Sequence, residues 1–401
     1  MMRGCCREIG RGPRTSWYVG LVAVFLSIPA VVVSHAIAMP ARAPRSDDMA
    51  WKYAEPEFDW SFPRDHWAHA GYKTEWWYFT GQLVDVTDSS RRFGYQFTFF
   101  RVGVLPESLA INSAWAVTDL VMGHTALTDI SSGEHRFSEL VYRANGFLGA
   151  FPAAGDSLVA WSRAPTGTDG RWTLRWSGDG FAFQATDDRA GVALQLETLQ
   201  MKPLLFQGPN GYSRKGVGPS AASLYYTLPR LSTTGTVSID GNEFSVSGES
   251  WMDKEFGSNQ LGEGQVGWDW FSLRLDDGRD LMLYLLRDGE GAVDYARGTL
   301  NSPSGAARYL NGDEFQIQAI DSWLSQETGA EYPIEWRIEI PAEDISFTVS
   351  AEVPNQENVS RLVPNLFYWE GSVVVIDLAG VRLGQGYVEL TGYGSAVPLG
   401  I

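Results

Sequence analysis

From Thr74 onward the chain consists of short runs in which apolar and polar residues alternate, or apolar residues follow one another, with turn residues between them. Examples are "RFGYQFTFF" (92–100), "RWTLRWSGDGFAFQAT" (171–186), "GTVSIDGNEFSVSG" (235–248) and "DLMLYLLRDG" (280–289). A period of two marks strands with a buried face. The tetrads "SGDG" and "IDGN" carry the Asp-Gly signal of tight hairpins. No run has the length and spacing of a long amphipathic helix. "DEFQIQAIDSWLS" (313–325) alternates weakly and reads as a strand or a short helix. The pattern predicts an all-β protein, a sandwich or a barrel. Its 20 Phe, 16 Trp, 16 Tyr and 43 Gly point the same way, because aromatic residues favour strands and glycine favours turns.

The pattern repeats. "EWWYFTGQLVD" (75–85) aligns with "GWDWFSLRLDD" (267–277), and "YQFTFFR" (95–101) with "LMLYLLR" (281–287). Further on, "GESWMDKE" (248–255) aligns with "GQGYVELT" (384–391), so Asp253 matches Glu389. Three blocks in one order imply two related β-domains, 44–257 and 258–401, joined by "GSNQLGEGQVG" (257–267). Residues 44–60 read as an arm preceding the first domain.

Strand alternation divides the first block into two faces. Glu75, Trp77, Phe79, Gly81 and Leu83 form one; the repeat gives Gly267, Asp269, Phe271, Leu273 and Leu275. Trp76, Tyr78, Thr80 and Gln82 form the other; the repeat gives Trp268, Trp270, Ser272 and Arg274. The Phe/Leu face reads as core. The Trp/Tyr face turns polar within two residues, which suits a barrel interior or mouth holding a ligand. Packing between the two domains is the alternative. Trp76, Trp77, Tyr78, Trp251, Trp268, Trp270 and Glu75 are the candidate ligand contacts.

In "SWMDKEFGSNQ" (250–260), strand alternation puts Trp251, Asp253 and Glu255 on one face. Two carboxyls beside an indole can act as an acid/base pair, since burial raises the pKa of one of them. A structural ion pair or hydrogen bonds closing the barrel would also account for them, and the match to Glu389 leans that way. Asp269 is a third candidate acid. His66 and His69 are three residues apart on a loop without a Cys partner, so no metal site is expected. "GPNGYSRKGVGPS" (208–220) lacks the strand–loop–helix setting of a phosphate loop and reads as an ordered loop, a candidate lid.

The net charge is −17, or about −21 once the +4 of residues 1–43 is removed. That argues against nucleic acid and anionic membrane surfaces as partners. Residues 1–43 run from basic (Arg3, Arg7, Arg11, Arg14) to apolar (17–38) to small, the order of a signal peptide. Cleavage is expected after Ala38, with Ala43 as the alternative. An uncleaved membrane anchor is the competing reading, since Trp17–Val33 is near the lower length limit for a bilayer span. Cys5 and Cys6 are the only cysteines and precede the apolar run, so the mature chain has neither disulfide nor thiolate chemistry. The expected location is the periplasm or cell envelope.

"HAGYKTEWWYFTGQL", "FGYQFTFFR", "GESWMDKEFGSNQL", "GQVGWDWFSLRLDDGRDLMLYLLR" and "GQGYVELTGYG" together resemble the AttH/carotenoid 1,2-hydratase-like family, over roughly residues 55–395. The resemblance implies two tandem lipocalin-like antiparallel β-barrels and a long apolar ligand, with no cofactor. Its named activity is addition of water to the terminal alkene of an acyclic carotenoid; related fungal tandem lipocalin-like proteins act as cyclases. On that reading Asp253 or Glu255 protonates the terminal carbon. Trp76, Tyr78, Trp251, Trp268 and Trp270 would stabilise the cation, and a second carboxylate would guide water. Two features depart from the family: the export signal, since carotenoid synthesis occurs at or inside the cytoplasmic membrane, and Lys254, where other basic residues are usual. A non-catalytic carrier of a hydrophobic ligand and a cell-envelope assembly protein are the alternatives.

Overall fold

Alternation and tight turns yield strands throughout. A computed structural model describes residues 50–107, 113, 115–218, 221–259 and 261–395. The segment read as a signal peptide or anchor lies outside the described residues. The first sheet holds β1 (Thr74–Asp85), β2 (Arg92–Gly103), β3 (Asp119–Asp129), β4 (Glu134–Arg143), β5 (Gly149–Ala150), β6 (Leu158–Arg163), β7 (Arg171–Trp176), β8 (Phe181–Asp187), β9 (Val192–Gln200), β10 (Leu205–Phe206), β11 (Tyr212–Arg214), β12 (Ala222–Ile239) and β13 (Asn242–Gly257). The second holds β14 (Gln265–Leu275), β15 (Asp280–Asp288), β16 (Val293–Asn301), β17 (Ala307–Asn311), β18 (Gln316–Leu324), β19 (Glu331–Ile340), β20 (Ile345–Ala351), β21 (Glu357–Val359), β22 (Phe367–Ile376) and β23 (Arg382–Leu390). The 313–325 run, open between strand and helix in the sequence, is therefore the strand β18.

Both sheets are antiparallel and curl into barrel-like halves. The first runs β4-β3-β2-β1-β13-β12-β9-β8-β7-β6-β5, and β4 comes round against β5 and β9. The second runs β17-β16-β15-β14-β23-β22-β20-β19-β18. The β12–β13 hairpin turns on Asp240 and Gly241, both at positive φ (48° and 79°), as the Asp-Gly signal requires. Trp77, Phe79, Phe97, Trp172 and Leu228 fill the first interior; Phe271, Leu283, Trp336, Trp369 and Val388 fill the second. Each such side chain contributes about 1.5–3 kcal/mol when fully buried. The arm from Ala54 to Tyr72 packs on Leu224 and Phe256.

The outer faces of β1, β12 and β13 meet those of β14, β15, β22 and β23. Tyr78, Tyr225, Trp251, Trp270, Met282, Tyr284, Leu286 and Tyr387 form a third cluster between the halves. At Gly94 a Cβ would lie 2.9 Å from the Ser372 Cβ, so only glycine permits that approach. The buried Asp280 of the second half accepts from Lys202 Nζ (2.6 Å) and Arg230 Nη2 (2.8 Å) of the first. Asn301 Nδ2 adds a third donor at 3.1 Å.

Removing the Asp280 charge strands two cations at this junction. Asp280→Asn is expected to cost about 3–5 kcal/mol in urea unfolding at pH 7. A loss below about 1 kcal/mol, the scale of an exposed pair, would mean the junction does not depend on this carboxylate.

Candidate functional site

The cluster between the two halves does not close completely. It encloses a cavity of about 90 Å³, measured as the space open to the centre of a water molecule. Strand register explains which side chains reach it. Directly opposed residues on antiparallel strands share a face. In the first half Tyr78 opposes Asp253, and Asp253 opposes Thr227. In the second Trp270 opposes Glu389, and Glu389 opposes Glu370. The two halves thus present equivalent three-strand rows to the same space, with a carboxyl on the middle strand of each.

Asp253 accepts from Tyr225 Oη (2.6 Å) and Thr227 Oγ1 (2.5 Å). Trp270 Nε1 donates in turn to Tyr225 Oη at 3.2 Å. Glu255 accepts from Ser223 and pairs with Lys215 Nζ at 2.7 Å. The Lys215 ammonium sits over the rings of Tyr284 (4.6 Å) and Tyr225 (5.1 Å), a cation–π arrangement. Lys215 is the one cation among the described lining residues, against the four carboxyls Asp253, Glu255, Glu370 and Glu389.

That imbalance shapes the titration. Burial pushes Asp253 up to about 7, although its two hydroxyl donors favour the ionised form. Burial pushes Glu389 up to about 8, and Asp253 and Glu255 add repulsion. Glu370 is driven well above the carboxylate range, first by burial and then by Glu389. The Tyr78 hydroxyl lies close enough to favour ionised Glu370, without the geometry of a full hydrogen bond. Burial also raises the Tyr78 and Tyr225 phenols, keeping them as neutral donors. Two opposed carboxyls in an aromatic enclosure cannot both be ionised cheaply, so the Glu370–Glu389 pair holds a proton near neutral pH.

The predicted residues fall into two groups. Trp76, Tyr78, Trp268, Trp270, Asp253 and Glu255 line the cavity, and Trp251 stands behind Trp270, edge-on at 6.3 Å. Glu75, Trp77 and Asp269 do not reach it. They project from the opposite face of their strands and make internal contacts there. Glu75 binds Lys254, Arg101 Nε (2.9 Å) and His69 Nδ1 (2.6 Å). Burial alone would raise Glu75, but Lys254, His69 and Arg101 together outweigh it and hold it well below the usual range. Trp77 packs in the first interior with the Lys254 ammonium 3.6 Å from its ring centre. Asp269 pairs with Arg287 Nε at 2.9 Å and accepts from Tyr393 Oη at 3.1 Å.

The location also differs from the barrel interior or mouth proposed from the sequence. Phe and Leu fill the interiors, leaving the Trp/Tyr face to the space between the halves. Sequence reasoning missed Lys215, Tyr225, Tyr284, Tyr368 and Glu370 as lining residues. Glu389 had a signal, its match to Asp253. Lys215 lies in the Gly-rich 208–220 stretch, whose β11 portion pairs with β12.

A family model described as AttH-like matches residues 53–393. A protein of Nitrosomonas europaea described as an AttH, known as a crystal structure, is 31% identical, with a TM-score of 0.74 over 85% of this chain and 99% of that one. Kievitone hydratase of Nectria haematococca gives a TM-score of 0.60 at 13% identity, covering 82% of this chain and 92% of that one, a likeness of fold. No curated protein matches the chain.

The raised Asp253 has a consequence for stability. Its ordinary pKa is about 3.9. The folded state holds the proton longer than the unfolded chain, so stability falls as pH rises from the unfolded value towards about 7. Asp253→Asn keeps the shape without titrating. Between pH 4 and pH 8 the unfolding free energy should shift in the variant's favour by about 2–4 kcal/mol. Urea unfolding at both pH values checks this, and a pH-independent difference would contradict it.

Proposed function

The chain belongs to the AttH-like family, and from that premise we propose that it is a hydratase acting on an alkene of an isoprenoid or related hydrophobic ligand held between its two halves. The observation that carries this reading is the opposed Glu370–Glu389 pair, the first buried and the second half-buried, at an aromatic cavity that also holds Asp253. The reaction class rests on these carboxyls and not on the fold's occurrence in a named hydratase.

An isolated alkene accepts water only after protonation. The shared proton of Glu370 and Glu389 passes to one alkene carbon, leaving a tertiary cation on its neighbour. The ring faces of Trp76, Trp268 and Trp270 stabilise that cation by ~0.5–2 kcal/mol each. Ionised Asp253, across the cavity, orients a water and takes its proton as the oxygen bonds to the cation. The sum is addition of one water, and proton return from Asp253 to the pair resets the site. Tyr225 and Thr227 hold Asp253 in place throughout. A carrier without chemistry would need only the aromatic lining, and would be indifferent to the carboxyls. We also read residues 1–43 as an export segment, on their basic–apolar–small order, and 44–257 and 258–401 as the two domains.

The test is incubation with acyclic isoprenoid alkenes in ¹⁸O-water, with mass spectrometry of the alcohol. Glu389→Gln and Asp253→Asn should each lower kcat by at least ~100-fold, the usual scale of a lost proton-transfer group. kcat/KM should rise as Asp253 ionises near pH 7 and fall as Glu389 loses its proton near pH 8. No labelled alcohol from any such alkene, or full activity in Glu389→Gln, would overturn the reading.

A further inference from the structure

One cross-strand row traverses the second sheet from the acid pair outward. Glu370 opposes Glu389, Glu389 opposes Trp270, and Trp270 opposes Tyr284. Tyr284 opposes Arg297, and Arg297 opposes Asn311. All six therefore project from the same face. The row changes chemistry along its length: carboxyls at one end, aromatic rings in the middle, a guanidinium and an amide at the other.

The far end opens into a second space of about 330 Å³, lined by Tyr284, Arg214, Arg297, Asn311 and Gln207 among others. Tyr284 lines both spaces and so forms the partition between them. Its hydroxyl donates to the Arg214 carbonyl at 2.5 Å, tying the partition to the 208–220 segment. Arg214 bonds the carbonyls of Gly216 and Val217, and Arg297 bonds that of Ala296 while stacking on Tyr295. Neither has a carboxylate partner among the described residues, in a chain with 48 acidic side chains and 31 basic ones. Arg297 opposes Tyr284 and Asn311 on the row that reaches the chamber and leaves its charge for a ligand, whereas Arg214 is exposed and meets Tyr284 through its backbone carbonyl.

We infer that this chamber takes the anionic end of an elongated ligand whose unsaturated body lies over Tyr284 and Trp270 and whose double bond reaches Glu389. The inference rests on the hydratase reading for the inner end and adds the substrate class: an apolar unsaturated chain with one carboxylate or phosphate head. Charge sets its direction. The inner carboxyls repel an anion, and Arg297 attracts it, so the reversed orientation is excluded twice. Three strand spacings separate Glu389 from Arg297, ~14 Å at ~4.8 Å each. The head and the reacting bond are therefore held well apart.

Equilibrium dialysis of the intact protein at pH 8 against farnesoic acid, farnesyl phosphate and farnesol tests this, since the chains match and only the heads differ. One or both anions should bind at least ~10-fold tighter than farnesol, the scale of one charge-assisted contact. In Arg297→Gln that preference should fall to within ~2-fold, and Arg297→Lys should restore part of it. Which anion binds better distinguishes a carboxylate from a phosphate head. Equal binding of anion and alcohol overturns the inference and leaves the inner site intact, as does a preference that survives Arg297→Gln but is lost in Lys215→Met. Binding of none of the three overturns both readings.

Discussion

Strands β1, β13, β14 and β23 must satisfy two interiors at once. Each gives one face to the apolar inside of its own curled sheet and the other to the opposing half, so alternation sorts side chains between two buried environments instead of between core and water. The first environment is filled by Phe, Leu and Trp. The second is bounded by two curved surfaces that touch along part of their length, at Gly94–Ser372 and around Asp280. It cannot close where Trp and Tyr stand opposite one another. The cavity is a product of that geometry, and Asp253, Glu255 and Glu370 at its wall lie in a low-dielectric setting because both halves bury them.

The internal repeat places equivalent backbone positions on both walls and then departs from itself. Tyr78, Asp253 and Thr227 face Trp270, Glu389 and Glu370. Thr227 supplies a hydroxyl to Asp253 where Glu370 confronts Glu389 with a second acid. One wall therefore holds a hydrogen-bonded carboxyl and the other two opposed acids that repel each other and are both raised. Separated pKa values on two carboxyl groups are what acid/base catalysis requires. A frame with strict repeat symmetry would have given two groups of equal character.

Much of the fold was legible in the sequence, because period-two alternation and Asp-Gly turns are local signals. The all-β class and the β12–β13 hairpin at Asp240–Gly241 follow from neighbours in the chain. The site was legible by half. Alternation separated Trp76 and Tyr78 from Trp77 and Phe79, and the repeat added Trp268 and Trp270. Alternation could not say which face would turn into a barrel and which outward, since both were apolar enough for either. Hence Glu75, Trp77 and Asp269 were grouped with residues on the opposite side of the same strands. Glu370 carried no signal, because its meaning comes from standing opposite Glu389, and register is a tertiary property. Lys215 was hidden for a similar reason: a lysine in a Gly-rich loop announces nothing until the loop folds over Tyr225 and Glu255.

The functional reading stands on a proton retained at neutral pH by two carboxyls in an aromatic enclosure. That proton is observable without substrate. In protein carrying ¹³C-labelled glutamate side chains, with Glu389→Gln and Glu370→Gln used to assign the signals, the carboxyl carbons are followed by NMR across pH 3–10. The resonance of Glu389 is expected to titrate near pH 8, with Glu370 also displaced upward. Titration of both near ~4, the ordinary glutamate value, would contradict the claim that this cavity holds an acid at neutral pH.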